Sequence, residues 1–330
     1  MTLGFAHFLV EKVLSGGEIS FEEALSLMNL QGAQTYDLLA AANRIRECYK
    51  GNRISLCAII NAKSGKCSED CAFCAQSAHH KAKIEAYPLL GPEIIVGAAE
   101  RAWRNGARRF AIVTSGKSLS HRELAKVCIA IERISRQDKI RPCASLGLLH
   151  QEAALRLKQV GLKRYHHNLE TAASFFPNIC TTHHYDEDLT TIKIAKRLGF
   201  EVCCGGIFGM GESIEQRVEL AFTLKELGVD SVPINFLNPI PGTKLQGRHL
   251  LSPLECLRIL ATYRFILPSC DILTCGGREV NLRSLQPLMF TSGASGTMVG
   301  DYLVTQGRPP QEDLELIEDL ELEVDRGESN

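Results

Sequence analysis

A chain of 330 residues with 37 basic and 38 acidic side chains carries a formal net charge of −1, so no polycationic surface points to nucleic acid and no global field points to a membrane. No apolar run approaches the ~20 residues that span a bilayer, and the start MTLGFAHFLVEKVLSGG carries Glu11 and Lys12 without a signal peptide's basic start and cleavage site, so the protein reads as cytoplasmic. Thirteen cysteines in a reducing compartment argue for metal or redox chemistry rather than disulfides.

Residues 1–50 read as a helical extension that packs against the rest of the chain. ISLCAII (54–60) is the first strand, and directly after it comes CSEDCAFCAQS, with Cys67, Cys71 and Cys74 within eight positions. From about residue 85 one unit recurs: an amphipathic helix, a glycine, then a short apolar strand. PEIIVGAAERAWRNG leads into ARRFAIVTSG, and SHRELAKVCIAIERISRQD, with Ser120 and Glu123 spaced as a capping box, leads into KIRPCASLG. QEAALRLKQVG leads into LKRYHHNLE, DEDLTTIKIAKRLG into FEVCCGGIFG, and IEQRVELAFTLKELG into VDSVPINFL. SPLECLRILATYRFI, with Ser252 as N-cap and Pro253 behind it, leads into CDILTCGG, and NLRSLQPLMFTSG into ASGTMVG. Gly106, Gly161, Gly199 and Gly228 stand where left-handed helix ends are expected. The acidic run 311–330 reads as a solvated helix with a frayed tail.

Eight strands alternating with helices require parallel neighbours and match the count of a TIM-type (β/α)8 barrel over 51–310; an open doubly wound sheet is the alternative. Cys128 and Cys256 fall on apolar helix faces and read as packing, as do Cys48 and Cys270. The cysteine loop comes after the first strand, at the face where barrel active sites are built. Three thiolates on one loop can hold three irons of a [4Fe–4S] cluster and leave the fourth iron open. A closed zinc site would need a fourth ligand, for which His79 or His80 are the candidates. The His-His pairs at 79, 166 and 183 otherwise read as hydrogen-bonding histidines.

The C-x3-C-x2-C spacing with Phe73 before the last cysteine resembles the signature of radical S-adenosylmethionine (SAM) enzymes. YHHNLET (165–171), TTHHYDE (181–187), CCGGIFGMGE (203–212) and VPINFLNPIPGT (232–243) resemble, in order and spacing, the biotin synthase family, and the resemblance covers essentially the whole barrel. It implies SAM and a [4Fe–4S] cluster as cofactors, dethiobiotin as substrate, and insertion of sulfur drawn from an auxiliary iron–sulfur cluster. It also implies a low-potential donor such as flavodoxin or ferredoxin, and a homodimer. By the same resemblance Phe73 lies against adenine, and Asn168, Glu170, His183, Gly205, Gly206 and Ile207 surround the rest of SAM, the glycines admitting it close to the backbone. Asn168 and Asn235 would contact dethiobiotin, and His166 stands where the family commonly has another asparagine.

The chain departs from the family at the auxiliary cluster, which the resemblance implies is held by three cysteines and an arginine. Cys143 and Cys203 match two of them, but Ala111 and Leu273 occupy the other two positions. Cys57 on the first strand and Cys275, two residues after Leu273, are the candidate replacements. Because side chains alternate along a strand, Cys57, Cys143, Cys203 and Cys275 on strands one, three, five and seven are expected to form one inward layer, with Cys204 facing the helices. An all-cysteine site suits four irons at least as well as two. Competing readings are buried thiols without a cluster, a related radical SAM barrel that rearranges carbon skeletons or matures a cofactor without donating sulfur, and a non-catalytic zinc protein.

Overall fold

The computed structural model describes residues 4–327; the first three and last three residues of the expected extension and tail lie outside the described residues. Three helices, α1 (Phe5–Leu14), α2 (Phe21–Met28) and α3 (Ala33–Lys50), precede β1 (Arg53–Lys63). Then come α4 (Pro92–Arg104), β2 (Arg109–Thr114), α5 (His121–Gln137), β3 (Arg141–Ser145), α6 (Gln151–Gln159), β4 (Arg164–His166), α7 (Tyr185–Arg197), β5 (Glu201–Cys203) and β6 (Gly206–Phe208). The chain continues through α8 (Ile214–Glu226), β7 (Ser231–Phe236), α9 (Pro253–Ile266), β8 (Asp271–Thr274), α10 (Arg278–Leu282), α11 (Leu288–Thr291), β9 (Gly296–Met298), α12 (Pro310–Asp319) and β10 (Glu323–Val324).

All strand pairings are parallel, and β9 closes onto β1 with Ser55 opposite Gly296, so the sheet is a closed barrel and not an open one. The fifth strand is broken into β5 and β6 around Cys204 and Gly205. The capping box of Ser120 and Glu123 forms, and Gly106, Gly161, Gly199 and Gly228 all have positive φ. The extension covers α9: Cys256, Leu257, Ile259 and Leu260 are fully buried, and Arg264 inside that contact donates to the carbonyls of Gly293, Pro268 and Cys270. Cys128 and Cys204 are buried in the main core, as packing thiols are.

Strand register sets the height of each inward side chain along the barrel axis. Cys57 lies opposite Arg109, Ala111 opposite Cys143, Cys143 opposite Arg164, and His166 opposite Cys203. Cys203 lies opposite Ser231, and Leu273 opposite Pro233 and Gly296. In a tilted barrel each move of two strands advances the register by two residues at constant height. Cys57, Cys143, Cys203 and Leu273 therefore share one layer. Ala111, His166, Pro233 and Met298 lie above it, toward the C-terminal face, and Arg109, Arg164, Ser231 and Gly296 lie below. Cys275 belongs with Ile59 and Ser145, about 5 Å above the other cysteines. The expected single layer of four cysteines is thus three plus one, because alternation decides which side a residue faces but only the shear decides its height.

The acidic C-terminal segment also differs from the solvated helix expected. Leu316 and Ile317 are buried, Asp313 is 1% exposed against Arg278, and β10 pairs with the first residues of β1. Leu314, Ile317 and Leu320 recur at helical spacing among the acids, and that stripe docks the helix.

Candidate active site

The loop after β1 curls on itself: Cys67 N–H donates to the Gln76 carbonyl, Ala78 N–H to the Cys67 carbonyl, and Cys74 N–H to the Cys71 carbonyl. This brings Cys67, Cys71 and Cys74 to the wall of one cavity of about 430 Å³ within the mouth of the barrel. The same cavity is lined lower down by Cys57, Cys203 and Cys275, while Cys143 lies beneath its surface. All thirteen cysteines are free thiols. Burial pushes the Cys74 thiol up to about 11, and it likewise raises Cys57, Cys143, Cys203 and Cys275. Such thiols stay protonated until a metal displaces the proton. His79 and His80 bond back to the Ser68 and Cys74 carbonyls, and among the described residues neither forms a close set of ligand atoms with the loop cysteines.

Glu170 is held with φ +62, a left-handed conformation that costs a non-glycine residue energy and recurs at functional positions. Leu169 and Glu170 N–H both donate to the Gly205 carbonyl, and Ile207 N–H donates to that of Glu170. Asn168 Oδ1 accepts from Gly205 N–H, and its amide points to the Glu170 carboxylate at 3.4 Å. Burial raises Glu170 to about 7, and burial lowers neighbouring His166 to about 4, so that imidazole is neutral at pH 7. Phe73, His166, Asn168, Glu170, Ile207 and Asn235 all line the cavity, as do Ala111, level with His166, and Leu273, lower down. Asn235 donates to the Gly206 carbonyl and accepts from Gly276 N–H, so its amide is oriented before any ligand arrives.

Gly205 and Gly206 stand apart from this group. A β-carbon on Gly205 would collide with the Pro233 carbonyl, and one on Gly206 would lie 2.5 Å from the Glu170 carbonyl oxygen. Close backbone approach to Pro233 and Glu170 demands the absent side chains, and of the three only Ile207 lines the cavity.

His183 lines the cavity as well. Its ring is clasped by Glu69 (2.7 Å) and Asp188 (3.3 Å), and Asp188 in turn bonds His167 at 2.7 Å. Burial opposes its charge, but the bonds to Asp188 and Cys180 dominate and raise it to about 11. Cys180, missed in the sequence, lies 3.2 Å from His183 Nδ1 and 3.8 Å from Cys71 Sγ. Asp70 accepts from Thr181 N–H and Oγ1, which binds the cysteine loop to the segment after β4. The only signal for this set was the placing of CTTHH within that segment. A single loop cysteine has no period to expose it.

The model for the radical SAM superfamily matches residues 62–236, and that for the biotin and thiamin synthesis associated domain matches 233–323. Among curated proteins, the chain is 52% identical to a biotin synthase of Geotalea daltonii over 96% of both chains. It is 52% identical to one of Geobacter sulfurreducens over 98% of both, and 54% identical to one of Trichlorobacter lovleyi over 96% of this chain and 95% of that one. Among solved structures, methylornithine synthase superposes with a TM-score of 0.84 at 19% identity, covering 96% of this chain and 97% of that one. The [FeFe]-hydrogenase maturase HydG of Carboxydothermus hydrogenoformans superposes with a TM-score of 0.82 at 18% identity, over 97% of this chain and 79% of that one. At such identity these two likenesses concern the fold alone.

Proposed function

This chain belongs to the biotin synthase family, and from that premise we propose how its residues carry out radical SAM-dependent insertion of sulfur into dethiobiotin to form biotin. The reading that keeps the barrel but omits sulfur donation loses its footing, because the chain is 52% identical to biotin synthases over nearly its whole length. A [4Fe–4S] cluster and SAM are the family's cofactors; together they supply a one-electron cleavage that generates a hydrogen-abstracting radical. Cys67, Cys71 and Cys74 would hold three irons of that cluster, and Phe73 would flank the adenine. Asn168 and the left-handed Glu170 would bind SAM's polar groups. His183, held by Glu69 and Asp188 at the cavity wall, braces the cysteine loop and would face the polar end of SAM. Asn235 and neutral His166 would present donors and acceptors to the ureido ring of dethiobiotin, with the apolar Ile59 and Met298 beside them.

The auxiliary site is all-cysteine: Cys57, Cys143 and Cys203 in one layer and Cys275 above. These four thiols would hold an iron–sulfur cluster, Cys275 from above and the other three from the layer beneath. Ala111 and Leu273 offer no ligand atom, so the donor set itself selects thiolate coordination. The observation that carries the reading is that one cavity joins the loop cysteines to Cys57, Cys203 and Cys275 through Asn168, Glu170 and Asn235. A flavodoxin or ferredoxin as donor, a homodimer and a cytoplasmic location complete the proposal; among the described residues no helix is long and apolar enough to cross a membrane. The test is an anaerobic reaction of reconstituted protein with SAM, a low-potential reductant and dethiobiotin, read by mass spectrometry. Biotin with 5′-deoxyadenosine at about one to two is expected; 5′-deoxyadenosine without biotin from protein bearing both clusters would refute sulfur donation.

A further inference from the structure

Directly beneath the cysteine layer the barrel is charged, where barrel interiors are normally filled by branched apolar residues. Arg164 lies opposite Cys143 in the β3–β4 register, one residue step below the thiol plane, and its side chain is 5% exposed. Arg109 lies opposite Cys57 in the same lower layer. Both guanidinium groups converge on Glu201 Oε2, Arg109 at 3.0 Å and Arg164 at 2.8 Å, and Arg164 also faces Asp271 at 3.6 Å. Asp271 is further paired with Lys50 of α3 at 2.6 Å. Three cations therefore meet two carboxylates, and the connected group holds one positive charge in excess. Arg141, the remaining ionic side chain of the carboxylate layer, is exposed to solvent and takes part in none of these described pairs. The mechanism derived above uses none of these groups.

A buried arginine needs a reason, since desolvating a charge is costly unless it is paired. Glu201 alone would pair one arginine, but two are brought to it, and their surplus faces a layer of thiols that become anionic when iron binds. We infer that Arg164 is the positioning residue of the auxiliary site, the counter-charge that steadies an all-thiolate cluster from below and sets its reduction potential. The inference rests on the all-cysteine auxiliary site proposed above. Loss of a nearby positive charge disfavours the more negative, reduced cluster, so the potential must fall; loss of a nearby negative charge must raise it.

The test uses the full chain with Cys67, Cys71 and Cys74 replaced by alanine, so that any cluster that remains is the auxiliary one. Iron and sulfide are loaded anaerobically, and the absorbance is monitored in a potentiometric titration. Arg164→Gln brings the local excess to zero and is expected to lower the equilibrium constant for reduction at least tenfold, about 59 mV for one electron. Glu201→Gln raises the excess and is expected to shift it in the opposite sense. The double variant restores the excess of one and returns the potential toward the parent's. A structural role alone would not produce opposite shifts that cancel. If Arg164→Gln does not fold, Glu201→Gln carries the test by itself. Parent protein that binds no iron overturns the auxiliary site itself; a cluster whose potential ignores both substitutions, or moves the same way in both, overturns the role of Arg164 alone.

Discussion

Removing the carboxylate of Asp313 should loosen one wall of the active-site cavity. Arg278 and Asp313 have side chains 1% exposed each and meet at 2.6 Å, while Arg278 also bonds Tyr302 Oη at 3.2 Å and Gln286 Oε1 at 2.9 Å. Breaking a buried ion pair from one side leaves an uncompensated charge and costs roughly 3–5 kcal/mol. Here Arg278 would keep two hydrogen bonds and the Glu279 carboxylate at 3.6 Å, which places Asp313→Ala at the lower end, about 3 kcal/mol. Asp313→Asn retains an acceptor and should cost about half as much, ~1.5 kcal/mol. Arg278→Met combined with Asp313→Leu leaves no orphaned charge and should cost less than the two single changes together. Urea unfolding monitored by circular dichroism measures these differences. Because Tyr302, Val304 and Thr305 line the cavity, Asp313→Ala should also raise the KM for dethiobiotin. A stability within about 0.5 kcal/mol of the parent, the range of surface changes, would refute the argument that this pair anchors α12.

Replacing Cys57 or Cys275 with alanine should abolish biotin formation and reduce bound iron while 5′-deoxyadenosine is still released; undiminished biotin from both variants would remove them from the auxiliary site. Gly206→Ala should displace the Glu170 carbonyl and weaken SAM binding at a stability cost of about 1–3 kcal/mol, measured by calorimetry and denaturation, with unchanged SAM affinity as the contrary result. Glu170, raised to about 7 from 4.5, binds a proton in the folded state that the unfolded chain has released, so its contribution to stability falls as pH rises between those values. His166, lowered to about 4 from 6.5, acts in the opposite sense across an overlapping range. In cluster-free protein, Glu170→Gln should therefore be more stable than the parent at pH 7.5 and equal to it at pH 3.5; equal stability at both would show that the carboxyl is not held protonated.

The barrel was legible because each helix–glycine–strand unit is a local pattern, and local patterns count strands well. The motifs of the cysteine loop, Asn168 and Asn235 were legible for a related reason, since their residues are close in sequence or fixed on one strand. What escaped were relations between strands. Cys275 and Leu273 face the same way, yet only the stagger around the barrel shows that Leu273 lies level with Cys57. Arg164 begins a strand, where an arginine ordinarily reads as a solvent-facing end, and its burial depends on Glu201 and Asp271 from two other strands. Gly205 and Gly206 read equally as ligand access or close packing, and the carbonyls that decide between them belong to Pro233 and Glu170.

The closure of β9 on β1 has a consequence for how the protein is made. Cys57 on β1 lies opposite Met298, roughly 240 positions later in the chain. At the ~5–20 residues per second of synthesis, the first strand waits on the order of 10–50 s for the neighbour that completes its side of the barrel. During that interval Cys57, Cys67, Cys71 and Cys74 have emerged without the wall that later encloses them. The thiols that later line the barrel interior are therefore open to any reactant, oxidant or iron, until β9 arrives.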